Sequence, residues 1–168
     1  RMPVQWVNRP NLDFRGFSGK IAAGTIKPGD EVRILPSGKT SHVDRIVTYD
    51  GDLDSAAAGQ SITLTLNDEV DCSRGQVIAA ATAPLEVADQ FETTLIWMEE
   101  EVLIPGRSYY LKIGAQTVSA TVAEPKYQIN VNTMEHAAAK TLELNAIGVT
   151  NVTTDRDIPF APYAENRT

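Results

Sequence analysis

Apolar residues in this chain alternate with polar ones over short runs, and a turn signal closes nearly every run. Ser61 to Leu66 is the cleanest case: Ile62, Leu64 and Leu66 fall on one side, Ser61, Thr63 and Thr65 on the other. A repeat of two belongs to a β-strand with one buried face. The same repeat returns in Tyr109/Leu111/Ile113, Val118/Ala120/Val122 and Tyr127/Ile129/Val131. Many short strands with turns between them predict an all-β sandwich or barrel.

Gly16 to Pro36 reads as two strands and the turn that joins them. Gly16, Gly19 and Gly24 punctuate a first strand over Phe14 to Ile26, as a strand must be punctuated where it curves or meets another backbone closely. Lys27-Pro28-Gly29-Asp30 is the turn: proline fixes φ and glycine supplies the positive φ that other residues resist. Glu31 to Leu35 is expected to be its hairpin partner. Further runs follow at Ser41–Tyr49, Ser61–Leu66 and Arg74–Ala79, after a first strand at Pro3–Val7.

Ala80 to Pro84 is alanine-rich and ends in proline, which sets a domain boundary near Ala83. Two domains result, 1–83 and 84–168, each near the small end of what folds alone. In the second, Gln90 to Met98 is apolar on both faces at its end and is predicted to be central. Met134 to Lys140 has the Ala and Glu content for one or two helical turns. Leu142 to Val152 returns to strand, and Asp155 to Thr168, with Pro159 and Pro162, is expected to be extended or loop.

Composition excludes some functions. Hydrophobic residues make up 42% and charged residues 22%, and no apolar run approaches the roughly 20 residues of a membrane span. The net charge of −7 lies mostly in residues 84–168, where twelve acidic side chains face six basic ones. An acidic surface repels phosphate backbones, so nucleic-acid binding is not expected. Cys72 has no internal partner, which suits a reducing cytoplasm. Arg1-Met2-Pro3 runs straight into strand-like sequence with no signal peptide, as expected of a piece of a longer chain. On that basis the triplets Asn151-Val152-Thr153 and Asn166-Arg167-Thr168 are not expected to be glycosylated.

Motifs of chemistry are incomplete. Gly38-Lys39-Thr40 ends like a phosphate loop, but Arg33 stands at its first glycine and a strand, not a helix, follows. Asp50, Asp52 and Asp54 open like a calcium loop, but Ser55 and Ser61 hold the positions that need Gly and Glu. His42 and His136 fall in different predicted domains, so no zinc set is expected. Ser41, His42 and Asp44 are not expected to act as a triad, since residues two apart on a strand share a face without converging and no Gly-x-Ser-x-Gly elbow is present. Glu99-Glu100-Glu101 reads as a solvated turn. No catalytic, cofactor-binding or metal residue is expected in this chain.

Asn8 to Arg15 differs from the rest. Asn8, Arg9, Asn11, Asp13, Phe14 and Arg15 gather two arginines, an aromatic ring and local hydrogen-bonding groups in one span. Arginine and aromatic residues are enriched where proteins meet, so these six form a candidate interface for another domain or subunit.

Gly19-x-Ile21-x-x-Gly24-x-Ile26-x-x-Gly29-Asp30-x-Val32, with Ala58-Gly59 and Arg74-Gly75 downstream, resembles the second domain of translation-factor-type GTPases. Residues Pro3 to Gly16 and Ile46 to Leu53 sharpen this: they resemble the large, GTPase subunit of bacterial sulfate adenylyltransferase, or ATP sulfurylase. Trp97-Met98, Leu103-x-Pro105-Gly106-Arg107-x-Tyr109, Tyr127 to Thr133 and Leu144-Asn145-x-Ile147-Gly148 extend the resemblance over nearly the whole chain.

The resemblance implies two consecutive small β-barrels like domains 2 and 3 of elongation factor Tu, following a GTP-binding domain that this chain does not contain. GTP and Mg would bind in that missing domain, since neither a phosphate loop nor Asn-Lys-x-Asp is present here. GTP hydrolysis there would drive a small catalytic subunit to make adenylyl sulfate from ATP and sulfate in cytoplasmic sulfate assimilation. Some members also carry a fused adenylyl-sulfate kinase. The family pattern continues past Asn166-Arg167-Thr168, so the second barrel is expected to lack its last strand and expose an edge. The rival expectation is an RNA- or tRNA-binding barrel of a translation factor.

Overall fold

The computed structural model describes residues 1–162, and among them there is no helix. Contacts divide the chain into two compact units. Among the described residues, the first comprises Arg1–Val87, Lys112–Thr117 and 158–162; the second comprises Ala88–Leu111 and Val118–Asp157.

In the first unit the strands are β1 (Met2–Pro3), β2 (Trp6–Asn8), β3 (Gly16–Lys20), β4 (Thr25–Ile26), β5 (Glu31–Leu35), β6 (Lys39–Thr48), β7 (Gly51–Leu53), β8 (Ala56–Ala57), β9 (Ser61–Leu66) and β10 (Val77–Ala80). The sheet runs β1-β10-β5-β6-β9-β3-β2. Its two ends belong to one continuous stretch of chain. Met2 and Pro3 pair with Ile78 and Val77, whereas Trp6 to Asn8 pair with Ser18 to Gly16. Between them the Val4 amide donates to the Gln76 carbonyl and the Gln5 amide to the Ser18 carbonyl. The N-terminal stretch therefore sews the sheet into a closed barrel, which removes both edges.

Closure depends on Gly19. A Cβ at that position would sit 2.3 Å from the Pro3 carbonyl oxygen, inside van der Waals contact with backbone. The barrel fills with the inward residues that the alternation picks out, among them Val4, Phe17, Val32, Ile34, Ile46, Leu64 and Ile78.

The expected hairpin between the two halves of Gly16–Pro36 is not formed. The turn itself is there: Gly29 has φ +88° and the Lys27 amide donates to the Asp30 carboxylate at 3.0 Å. Its flanking strands find other partners. Lys20 ends β3, which lies between β2 and β9; Thr25–Ile26 pairs with Ala56–Ala57, and β5 lies between β10 and β6. Turn chemistry fixes the local bend, but each flanking segment pairs where its inward side chains reach the core.

In the second unit the strands are β11 (Glu86–Ile96), β12 (Ser108–Ile113), β13 (Gln116–Val122), β14 (Tyr127–Ile129), β15 (His136–Ala137) and β16 (Ile147–Phe160), with the ends of β11, β12, β13 and β16 counted in the first unit. The order is β12-β13-β16-β14-β15, and β11 also pairs with β16. Leu103, Ala120, Val122, Leu142, Ala146 and Val152 form the core.

Two expectations are corrected here. The central strand is β16, not Gln90–Met98: along β11 partly buried and exposed residues alternate, and Ile96 and Met98 face solvent. The stretch Met134–Lys140 is not helical. Met134 sits at φ +60°, and His136–Ala137 pair with Ile129 and Gln128. One turn of helix fixes several residues for one hydrogen bond, so strand pairing prevails over propensity. Residues 155–160, expected to be extended or loop, are extended: they continue β16 as strand through Pro159. The closing Asn166-Arg167-Thr168 lies outside the described residues.

Candidate functional site

The six candidate residues lie on the first unit, in and beside the loop that joins β2 to β3. Asn8 pairs with Gly16, so residues 9–15 form a hairpin loop whose base is fixed by the sheet. The Asp13 amide donates to Asn11 Oδ1 at 3.0 Å, which holds the loop tip in a local turn. Arg9, Asn11 and Asp13 are exposed, and Leu12 between them is 87% exposed.

Phe14 and Arg15 turn inward and are half-buried. A Cβ on Gly16 would lie 2.8 Å from the edge of the Phe14 ring and 2.4 Å from the Thr63 methyl, so glycine makes room for the ring. The Arg15 guanidinium stands 5.5 Å from the Phe17 ring centroid and 3.7 Å from an Asp71 carboxylate oxygen. That ring contact and exposed ion pair orient the arginine and add little stability.

Asp13, Phe14 and Arg15 line a shallow groove of about 180 Å³ together with Asp44, Asp68 and Glu69. Asn8, Arg9 and Asn11 do not line it. Thr65 Oγ1 donates to Asp44 at 3.0 Å, and Ser41 Oγ donates to Asp68 at 2.8 Å. Arg45, also in the lining, is held away by a bidentate pair with Asp52. That pair keeps the Asp52 carboxyl below its usual range, chiefly through the hydrogen bond. The acidic wall was not among the sequence candidates. Asp68 and Glu69 stand together in the sequence, but only the pairing of β6, β9 and β3 brings them into one groove with Arg15.

The groove holds charges and a ring, with no nucleophile beside a base. Cys72 is buried, and burial pushes its thiol up to about 11 against the opposing pull of Arg15. Ser41 faces inward while His42 is exposed on the other side of β6. His136 stacks on Tyr127 with centroids 3.9 Å apart. Asp50, Asp52 and Asp54 do not converge, since Asp52 is engaged by Arg45. Gly38, at φ +75°, opens a turn into β6. No group of three or more His, Cys, Asp or Glu that could hold a metal occurs among the described residues. Among the described residues no helix long and apolar enough to cross a membrane occurs.

Two family models match the chain: elongation factor Tu domain 2 over residues 17–79, and GTP-eEF1A C-terminal domain-like over residues 90–168. The chain is 54% identical over 167 residues to sulfate adenylyltransferase subunit 1 of Methylorubrum populi, spanning 99% of itself and 36% of that protein. It is 54% identical to the bifunctional enzyme NodQ of a Rhizobium species, of which it spans 26%. It is 49% identical to the bifunctional enzyme CysN/CysC of Xylella fastidiosa, of which it spans 27%. The chain thus covers about a quarter to a third of these relatives. Among solved structures, Sup35 with GDP superposes with a TM-score of 0.88 at 18% identity, over 99% of this chain and 41% of that one. Elongation factor SelB of Methanococcus maripaludis gives 0.74 at 20% identity, over 95% and 36%. At these identities the two structures speak to the fold alone.

Proposed function

Because the chain belongs over its full length to the family of sulfate adenylyltransferase subunit 1, we propose that it is the two-barrel, non-catalytic region of such a subunit. Its role is to relay the state of a GTP-binding domain to a small catalytic subunit that makes adenylyl sulfate from ATP and sulfate in the cytoplasm. The observation that carries this reading is the 54% identity to a subunit of which the chain spans only 36%.

The groove chemistry supports a docking role. Arg15 beside Phe17, an exposed leucine at the loop tip and an acidic wall make a mixed-charge surface suited to protein recognition. Residues for GTP do not fit here, because Gly38-Lys39-Thr40 leads into β6 with no helix N-terminus behind it. GTP and Mg therefore belong, in this reading, to another part of the parent subunit. A rigid barrel transmits a nucleotide state only if the two states offer it different contacts. The Asn8–Arg15 loop is the proposed place for such contacts on the first unit.

The test is binding of the chain to the small subunit, measured by sedimentation with tRNA as competitor. Binding that tRNA leaves intact supports the reading. Binding to tRNA with none to the small subunit would replace it with the translation-factor alternative.

A further inference from the structure

Residues 21–24, which lead from β3 into β4, are hydrogen-bonded on both sides. On one side the Ile21 amide donates to the Gln60 carbonyl, the Gly59 amide to the Ile21 carbonyl, and the Ala58 amide to the Gly24 carbonyl. On the other side the Ala22 amide donates to the Arg1 carbonyl at 2.9 Å, and the Arg1 nitrogen donates to the Ala23 carbonyl at 2.7 Å. Arg1 therefore lies opposite Ala22 and Ala23, on the antiparallel course that β2 and β3 already follow.

The next residues along this line are β4. Among the described residues β4 pairs on one side only, with β8, and each of these strands is two residues long. A ribbon of two short strands is weak by itself. The open side of β4 is the side on which Arg1 lies, since Ala58 and β8 occupy the other. Arg1 and Thr25 also line a cavity of about 280 Å³, together with Ile21, Val32, Leu64 and Ile78 of the barrel core. Side chains alternate along a strand, so a residue preceding Arg1 shares the face of Met2 and Val4, both buried in that core. Burial holds the Arg1 ammonium below the ordinary range of an α-amino group. A peptide amide in its place donates the same hydrogen bond to Ala23 and carries no charge.

Continuity of the chain selects the occupant. Any residue joined to Arg1 passes the open side of β4 before it reaches anything else, so another molecule would have to displace it. Resting on the reading above only in that the chain is a region of a longer subunit, we propose that the residues immediately preceding Arg1 in that subunit extend its strand along β4. They make a third strand beside β4 and β8. The residue directly before Arg1 is apolar and its side chain fills the cavity; the second residue before Arg1 lies opposite Thr25. The junction with the preceding part of the subunit is thus a fixed strand built into the barrel, and it offers a contact for the nucleotide state separate from loop 9–15.

The experiment uses the full parent subunit. A cysteine at the second residue before Arg1 is combined with Thr25→Cys, and in a control with Thr40→Cys, an exposed site on β6. Opposed residues of antiparallel strands come within disulfide reach, so mild oxidation is expected to link the first combination and not the control. Cys72 is buried and stays out of the exchange. Hydrogen exchange provides a readout without substitution: residues 23–27 are expected to exchange about tenfold or more slowly in the parent than in this chain alone. Aspartate in place of the residue before Arg1 is expected to remove that protection, because an unpaired charge is excluded from an apolar cavity. An absent cross-link, or equal exchange at 23–27 in parent and chain, overturns the proposed strand. Protection that arises only when the small subunit is added assigns the edge to that partner and equally overturns it, as does a charged residue directly before Arg1. Adenylyl sulfate synthesis by the unaltered parent with its small subunit reports on the functional reading separately. Synthesis without the cross-link overturns the strand alone; the cross-link without synthesis upholds the strand and removes that reading.

Discussion

Gly19→Ala should open the first barrel at its seam. The new methyl carbon would lie 2.3 Å from the Pro3 carbonyl oxygen and 3.0 Å from Met2 Cγ. The methionine side chain can swing aside, but the carbonyl cannot without moving the stretch that pairs with both β10 and β3. Overpacking costs about 1–3 kcal/mol in tolerant cores, and a clash with backbone belongs at the upper end, about 3 kcal/mol. For a domain of this size each kcal/mol shifts the midpoint by roughly 4–8 °C, so the loss should be roughly 12–24 °C. Gly24→Ala is the control: its φ is +80° but nothing lies within 4 Å, so only backbone strain of about 1–2 kcal/mol applies. The assay is thermal melting followed by tryptophan fluorescence in a Trp97→Phe background, where Trp6 in β2 is the sole reporter. Equal shifts for the two variants, or a Gly19→Ala midpoint within 2 °C of the parent, would refute closure by close backbone approach.

Leu142→Ala removes a fully buried side chain from the second core and should cost about 2–5 kcal/mol, read as a separate melting transition in far-ultraviolet dichroism. Cys72 should resist a thiol reagent at pH 8 in the native chain and react fully in denaturant. Its raised pKa contributes stability that is complete below the thiol's unfolded pKa and lost as pH rises through about 11. Asp52 and Asp155 are held below their usual range by Arg45 and Arg156, so their stabilisation is present above the unfolded carboxylate pKa and fades as pH falls through the lower folded value. Both pairs are exposed, so added salt should nearly abolish that acid limb in a pH series of melts. Arg9→Glu with Arg15→Glu should weaken assembly with the parent GTP-binding domain or the small subunit in sedimentation; unchanged assembly would leave that loop purely structural.

The strand content was legible because alternation is local. Ile62, Leu64 and Leu66 announce β9 without reference to any other residue, and Gly29 and Gly51 mark bends that only their φ values require. Pairing is not local. Nothing in Glu31–Leu35 says that β10 lies on one side of it and β6 on the other, so the nearest segment looked like its partner. A barrel was expected, but the pairing that closes it was hidden, because closure divides one short stretch, Met2 to Asn8, between two neighbours. Met134–Lys140 misled because alanine and glutamate signal helix, while strand pairing with β14 decides the outcome. At the candidate site the loop was legible from its arginines and aromatic ring. Its acidic wall was not, since Asp44 and Asp68 come from strands and turns that only the sheet brings near.

A chimera tests the central claim most directly. These 168 residues would replace the matching region of Methylorubrum populi sulfate adenylyltransferase subunit 1, with GTP-dependent formation of adenylyl sulfate measured in the presence of its small subunit. A second chimera would carry the barrels of Sup35, which share the fold at 18% identity. The first chimera is expected to keep GTP-dependent synthesis and the second, though folded, to lose it. Equal activity in both would show that any such barrel pair suffices and would contradict a specific relay; a folded but inactive first chimera would contradict the assignment itself.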